Sequence, residues 1–345
     1  MARLTLLILL LSTAASIAND GLPVGRHLKG RGQMRRTQEE LKAAAAVSPP
    51  PPPPCTSVAQ CGVCERSLAL AKNGNCPSER WIDLVSPIIA DPNMVILNIG
   101  ANKGFNVNSF LKRFQRGWAT TNAAWFGENP SAGCGICGAC NSEVGLTYGR
   151  ANVYAIAVEM ASSNYQNLKR LFAKFKVPGD VIHAAGGEKP GIAFEAPNIT
   201  AGTEYMGIQT QGIQIPMVSV DAIVAARRLE SIDLLSIDTE GHDAPVLRGA
   251  AKTLEKRLAK VVEFEYHGVG AWAASEKLDD AISMMRRFRY TCFWQSNAGG
   301  LSPFFPKCAA AYEFHMWSNV VCATDPKIVT ALNMLVPTDL QAEMA

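Results

Sequence analysis

Four ionisable side chains stand within six positions in Asp238-Thr239-Glu240-Gly241-His242-Asp243, directly after the strand expected at Ile232–Ile237. Such density at the exit of a buried strand suits proton transfer or ligand binding better than a plain structural turn. Asp238 is equipped to act as a general base, a metal ligand or a hydrogen-bond acceptor. His242 has the unperturbed pKa closest to neutrality, though a solvated histidine at a helix start would have no role. A second group is Val262-Glu263-Phe264-Glu265-Tyr266-His267. Strand alternation puts Glu263, Glu265 and His267 on one face, where Glu265 or His267 would approach the same site. Asp238, Glu240, His242 and His267 are the candidate catalytic residues.

A binding loop is written into Val95-Ile96-Leu97-Asn98-Ile99-Gly100-Ala101-Asn102-Lys103-Gly104. Glycine after an apolar strand lets the backbone turn sharply and approach a ligand. A following helix offers free N–H groups. The spacing is G-x-x-x-G, not the dinucleotide G-x-G-x-x-G. A pyrophosphate would be poorly cradled, which counts against a nicotinamide-dependent oxidoreductase. A donor without phosphate, such as S-adenosylmethionine, fits better. Glu159 ends the next apolar run, where an acid accepts hydrogen bonds from ribose hydroxyls. It lies much further from the loop than the usual ~20 residues, so residues 115–150, with Cys134, Cys137 and Cys140, are expected to be an insertion. The candidate cofactor-binding residues are Asn98, Gly100, Ala101, Asn102, Gly104, Glu159 and Asp238. Clustered carboxylates make a divalent metal conceivable, but too few ligands are assured to expect one.

Positioning these groups requires alternating elements. Strands are expected at Met94–Ile99, Val153–Val158, Ile232–Ile237 and Val261–Phe264, each a short, mostly apolar run, with a weaker one at Val181–Ala184. Helices are expected at Asn108–Phe114, Asn164–Phe175 and Glu276–Phe288, with Asp243 as the N-cap of another. Tyr290–Trp294 and Tyr312–Val321 supply late strand formers. Alternation of this kind gives a parallel sheet flanked by helices, with ligands at the carboxyl ends of the strands. Asn98, Glu159, Asp238 and Glu265 all fall at such ends.

The start of the chain reads differently. Arg3, the apolar Leu4–Leu11 and Ser16-Ile17-Ala18 make residues 1–18 a signal peptide. It is shorter than the roughly 20 residues of a membrane span, so membrane attachment follows only if it stays as an uncleaved anchor. Residues 19–54 are basic, then Ala-rich, and end in Pro49–Pro54, a stiff stem. Residues 55–90 are cysteine-rich, and residues 91–345 form the main domain. Ten cysteines and the sequon Asn198-Ile199-Thr200 fit the secretory pathway, in the endoplasmic reticulum or Golgi lumen or outside the cell. Disulfides are expected to tie the 55–76 segment to residues 134–140. The competing readings are a four-thiolate zinc site from Cys61-x-x-Cys64 and Cys137-x-x-Cys140, or iron–sulfur ligation. The 345 residues carry a net charge of only +3 with 48% hydrophobic content. That allows a sizeable core and gives no reason to expect a nucleic-acid partner.

Taken in order, Gly100-Ala101-Asn102-Lys103-Gly104, Ile237-Asp238-Thr239-Glu240-Gly241 and Val246-Leu247-Arg248-Gly249-Ala250 resemble the FkbM family of methyltransferases over roughly residues 90 to 290. The resemblance implies a class I methyltransferase (Rossmann-like) α/β fold with a mostly parallel seven-stranded sheet. It also implies S-adenosylmethionine as donor and an oxygen acceptor. Asn98 stands where the family has an acid that helps hold the donor's charged end, and Ser236 where it often has lysine. The function expected is O-methylation of a hydroxyl on a glycan or small molecule. The alternative is a non-catalytic secreted binding protein on a degenerate methyltransferase fold.

Overall fold

The computed structural model describes residues 58–89, 91–128, 133–138, 149–204 and 206–344. The expected signal peptide and stem lie outside them, as do Cys55, Cys140 and the side chain of Cys61. Helices α1 (Val58–Lys72) and α2 (Arg80–Ile89) precede β1 (Asn93–Ile99). Helices α3 (Phe105–Phe114) and α4 (Asn122–Gly127) lead to β2 (Asn152–Glu159), and α5 (Ser162–Phe175) to β3 (Gly179–His183). Then come β4 (Ala185–Gly186), β5 (Gly191–Glu195), β6 (Ile213–Val218), α6 (Val220–Arg227) and β7 (Ile232–Ile237). Next are α7 (Asp243–Gly249), α8 (Ala251–Glu255), β8 (Ala259–Tyr266), α9 (Gly270–Ala274) and α10 (Leu278–Arg287). The chain ends with β9 (Thr291–Gln295), β10 (Leu301–Pro303), a 3-10 turn at Pro306–Tyr312, β11 (Ser318–Ala323), α11 (Pro326–Asn333) and α12 (Thr338–Gln341).

The runs read from the sequence become β1, β2, β7 and β8 at the centre of one sheet and half-buried β3 at its edge, in the order β10-β9-β11-β8-β7-β1-β2-β3. All six residues of β7 are buried, as a strand covered on both faces requires. Strands β3, β2, β1, β7 and β8 pair in parallel, whereas β11 runs antiparallel to both β8 and β9. The mostly parallel α/β class is as expected. Beyond the seven strands expected there is an eighth: three-residue β10 folds back antiparallel on β9. A separate three-stranded sheet, β4-β6-β5, has no counterpart among the expected elements.

Chain order reverses at β1, which lies between β2 and β7, and this is the crevice where open α/β sheets bind ligands. Register fixes what faces it. Asn98 pairs with Ser236, Ser236 with Glu263, and Glu265 with Asn319.

Some elements differ from expectation. Asp243 is the first residue of α7 rather than its cap; His242 holds the cap position. The Asp243 carboxylate turns back to accept the Thr239 N–H at 3.3 Å. The stretch expected as an insertion carries α4, whose Trp125 is fully buried and donates Nε1–H to the Lys103 carbonyl at 3.0 Å. Helices α1 and α2 contribute Val63, Leu68, Trp81 and Ile82 to the same hydrophobic core as the sheet. In place of a strand from Tyr312, the 3-10 turn ends there and β11 begins at Ser318.

Three disulfides join described cysteines: Cys64–Cys308, Cys76–Cys137 and Cys292–Cys322. Cys134 is also disulfide-bonded. The Cys76–Cys137 bond is the expected tie between the first cysteine segment and residues 134–140. Because Cys64 and Cys137 are oxidised, the two C-x-x-C pairs do not supply four thiolates to one metal. Among the described residues no helix is long and apolar enough to cross a membrane.

Candidate active site

One cavity of about 560 Å³ opens at the carboxyl ends of β1, β2, β7 and β8. Its first wall is the loop after β1. Gly100 has φ +81°, and a Cβ there would lie 1.7 Å from the Asp238 carbonyl oxygen. Only glycine allows the β1 and β7 exits to close this tightly. The Gly100 and Ala101 N–H groups both donate to the Val158 carbonyl, at 2.9 and 3.0 Å. Asn102 N–H donates to Glu159 Oε2 at 2.7 Å, and Gly104 N–H to the Ala101 carbonyl at 2.7 Å. These donors are engaged within the fold, so the loop is not a phosphate cradle. That agrees with a donor lacking phosphate.

Glu159 is buried at the end of β2, with Oε1 accepting the Ala161 N–H at 2.7 Å. Burial pushes its carboxyl up to about 7 even though backbone N–H groups favour the charged form. Each oxygen keeps acceptor capacity toward the cavity. Next to it, Lys103 is ion-paired to Glu204 at 2.6 Å, and Glu204 Oε2 accepts the Ile136 N–H at 3.0 Å. Residues 134–137, stapled through Cys76–Cys137, therefore form part of the cavity wall.

The opposite wall follows β7 and β8. Asp238, Glu240 and His242 all reach the lining, with Glu240 at φ +53°. Asp238 is raised above the usual carboxylate range by burial first, then by Asp243, Glu263, Glu204 and Glu159. Glu265, only 4% exposed, is also raised well above that range, by burial first and then by Asp238, to which it is hydrogen-bonded. Glu263 is held by Gln295 Nε2 at 2.8 Å and pushed up to about 7, chiefly by burial. Below it, Arg113 bridges Glu79 at 2.8 Å and Asp83 at 2.7 Å. Carboxylates thus outnumber cations around the cavity, and Lys103 and Arg113 are already ion-paired. This suits a cationic ligand such as a sulfonium. The residues present therefore fit S-adenosylmethionine: the Gly100–Lys103 loop and Glu159 would hold it, and it would supply an electrophilic methyl group.

Of the residues singled out from sequence, Gly100, Ala101, Asn102, Glu159, Asp238, Glu240 and His242 line this cavity together. Asn98, Gly104 and His267 are not in the lining. Asn98 is fully buried and directs Nδ2 to the Ser236 carbonyl at 3.5 Å and to Ser236 Oγ at 3.4 Å. Gly104 caps α3, and a Cβ there would press on Leu168 and Trp125. His267 stacks on Trp317 with ring centroids 6.3 Å apart, and burial lowers its imidazole to about 4. Burial also lowers His242. Among the described residues no group of three or more His, Cys, Asp or Glu has metal-binding geometry. Sequence reasoning missed Trp317, Asn319, Gln295 and Glu204, all in the lining. Alternation in Trp317-Ser318-Asn319 was a usable signal; the pairing of β11 with β8 was not.

No curated protein matches the chain. Solved structures resemble it at low identity. One is a protein of the NADB-Rossmann superfamily from Streptococcus agalactiae, at 11% identity and TM-score 0.30, covering 72% of this chain and 68% of that one. Another is an O-methyltransferase from Bacillus cereus in complex with SAH, at 13% identity and TM-score 0.31, covering 76% and 91%. Aeropyrum pernix fibrillarin with bound S-adenosyl-L-methionine gives 10% identity and TM-score 0.29, covering 68% of each. TM-scores near 0.3 carry no weight for the site. The methyltransferase FkbM domain family matches residues 98–292, more than half of the chain. That span runs from the β1 exit through the Asp238 turn to β9, and it places this chain in the FkbM methyltransferase family.

Proposed function

We propose that this methyltransferase O-methylates a hydroxyl on a glycan or small molecule within the secretory pathway. One observation carries the catalytic part: the glycine loop, Glu159 and the Asp238–His242 turn share a single acid-lined cavity. Glu159 is placed to accept from the donor's ribose hydroxyls. Asp238 has the raised basicity to take a proton from an acceptor hydroxyl. Alignment of donor and acceptor in a closed cavity does the rest.

The disulfides support an oxidising compartment. Asn198 of the sequon is exposed at a turn, with φ +64°, as an acceptor asparagine must be. The apolar run Leu4–Leu11 followed by Ser16-Ile17-Ala18, read as a signal peptide, supports the same reading. The test of the donor assignment is thermal and calorimetric. S-adenosylhomocysteine should raise Tm by several degrees, whereas NAD should not. Equal shifts with both ligands, or none with either, would remove it.

A further inference from the structure

The donor reading uses only one end of the cavity. At the other end, β8 and β11 lie side by side, and register makes Asn319 the direct cross-strand partner of Glu265. Ile237 pairs with Phe264, so Asp238, one residue on, stands in line with Glu265. Asp238, Glu265 and Asn319 therefore form one transverse row across three strand ends, and all three line the cavity with Trp317. Three buried polar atoms here have no hydrogen-bond partner among the described residues: Glu265 Oε2, Asn319 Oδ1 and Trp317 Nε1. Buried polar groups are nearly always satisfied, so a cluster of unmet atoms on residues that line a cavity implies a ligand. The row is also braced from behind. Gln295 holds Glu263 and is itself held by Trp81 Nε1 at 3.0 Å, while His267 stacks on Trp317.

We propose that Asp238, Glu265, Asn319 and Trp317 form the acceptor subsite, and that it takes a neutral polyhydroxylated ring, a sugar. The inference rests on the methyl-transfer reading and deepens it. The chemical class follows from the unmet atoms: Asn319 Oδ1 accepts, the Trp317 indole N–H donates, and Glu265 Oε2 accepts when ionised or donates when protonated. An ammonium group only donates and would leave the indole N–H unmet. A carboxylate or phosphate only accepts and would face Glu265 and Asn319 oxygens. Hydroxyls do both, and the indole face of Trp317 suits the apolar face of a sugar ring.

Chemistry follows from the row. The acceptor hydroxyl sits against the hydrogen-bonded Asp238–Glu265 pair, at the unmet Glu265 Oε2. Its oxygen lone pair forms the new C–O bond to the methyl carbon while the S–C bond breaks, leaving its electron pair on sulfur. The hydroxyl proton passes to the ionised member of the carboxyl pair and then to solvent. Sulfonium and alcohol become thioether, methyl ether and a proton. Burial first, and neighbouring carboxylates next, raise both carboxyls, which makes the ionised one a stronger base. His267 is a positioning residue for Trp317.

The test uses the full chain, with and without S-adenosylhomocysteine. Saturation-transfer NMR and labelled-methyl incorporation are read for neutral methyl galactoside and methyl fucoside, against methyl glucuronide, catechol and ethanolamine. The neutral glycosides should bind and be methylated, with the glucuronide at least about tenfold weaker. Glu265→Gln should lower kcat about 100-fold with S-adenosylhomocysteine affinity kept within twofold, which also reports an intact fold. Trp317→Phe keeps the ring, removes the N–H and should raise the glycoside KM about tenfold. Binding and methylation of catechol or ethanolamine instead of the glycosides would overturn the subsite, as would wild-type turnover in Glu265→Gln. Failure of S-adenosylhomocysteine to bind would count against the methyl-transfer reading alone. Glycoside binding to the free protein, and its loss in Trp317→Phe, would still decide the subsite.

Discussion

At the scale of single residues the site is a contest between burial and charge. Glu159 shows it best. Two backbone N–H groups at 2.7 Å favour its ionised form, yet burial still lifts it to about 7. A carboxylate oriented this firmly loses no entropy when a ribose diol arrives. Glu159→Gln keeps the shape but places an amide NH₂ where one oxygen accepts a backbone N–H. S-adenosylhomocysteine affinity should fall about 10- to 100-fold, as expected for a lost charge-assisted pair. Calorimetry reads this directly, and unchanged affinity would take Glu159 out of the donor site.

Among the elements, the staple between residues 76 and 137 does work that the hydrophobic core does not. The short described stretch around Cys137 includes Gly133, Gly135 and Gly138, all at positive φ, and an exposed Ile136. Such a stretch has little to bury and much backbone entropy to lose. Cys76–Cys137 and the Glu204 contact hold it against the cavity. In a Cys76→Ala/Cys137→Ala variant the stretch keeps only the Cys134 disulfide and the Glu204 contact, and the ligand must supply the rest of its order. Donor affinity should then weaken about tenfold, a cost of ~1–2 kcal/mol, measured well below the unfolding transition. Equal affinity in both proteins would show that the loop orders without its staple.

For the whole molecule, the same buried acids set the pH dependence of stability. Glu159, Asp243 and Glu263 are each pushed up to about 7, and Asp238 higher, by burial first. Unfolded, these groups ionise in the ordinary carboxylate range. Folding therefore takes up protons, the cost is absent at low pH, and it grows as pH rises through the folded values. His267, lowered to about 4, acts oppositely but only below about 6.5. Between pH 6.5 and 8 the carboxyls dominate, each costing ~1.4 kcal/mol for every tenfold by which folding raises its proton affinity. Without ligand, Tm should fall by roughly 5 °C over that window. Calorimetric scans that stay flat or rise would contradict it. Long-range ties matter at this scale too. Cys64–Cys308 joins α1 to the 3-10 turn across 244 residues. Chain entropy puts the stabilisation from such a link at up to about 5 kcal/mol. Cys64→Ala/Cys308→Ala should lose several kcal/mol in urea titrations, and a loss below ~1 kcal/mol would show that packing of α1 suffices.

The division between sequence and structure follows the same physics. Local pattern determined what local forces govern. Ile232–Ile237 was legible to the residue, because a parallel strand buried on both faces is mostly apolar and closes on Asp238 at its exit. The glycine loop and Glu159 were legible because backbone turns and strand exits impose residue types. The family followed from those motifs in order. What only the tertiary structure decided depends on pairing between distant segments. Strand β11 carries Trp317-Ser318-Asn319 in and just before it, and nothing in those residues says that they lie beside Glu265 rather than at an outer edge. His267 and Glu265 share a strand face by alternation. Only the packing of Trp317 against the imidazole separates the one behind the wall from the one in it. Asn98, placed by its neighbours at a strand end, is turned to Ser236 by a register set across 138 residues. Side-chain chemistry and period are written in the chain. Which faces meet is a balance of burial summed over the whole sheet, and no window of sequence contains it.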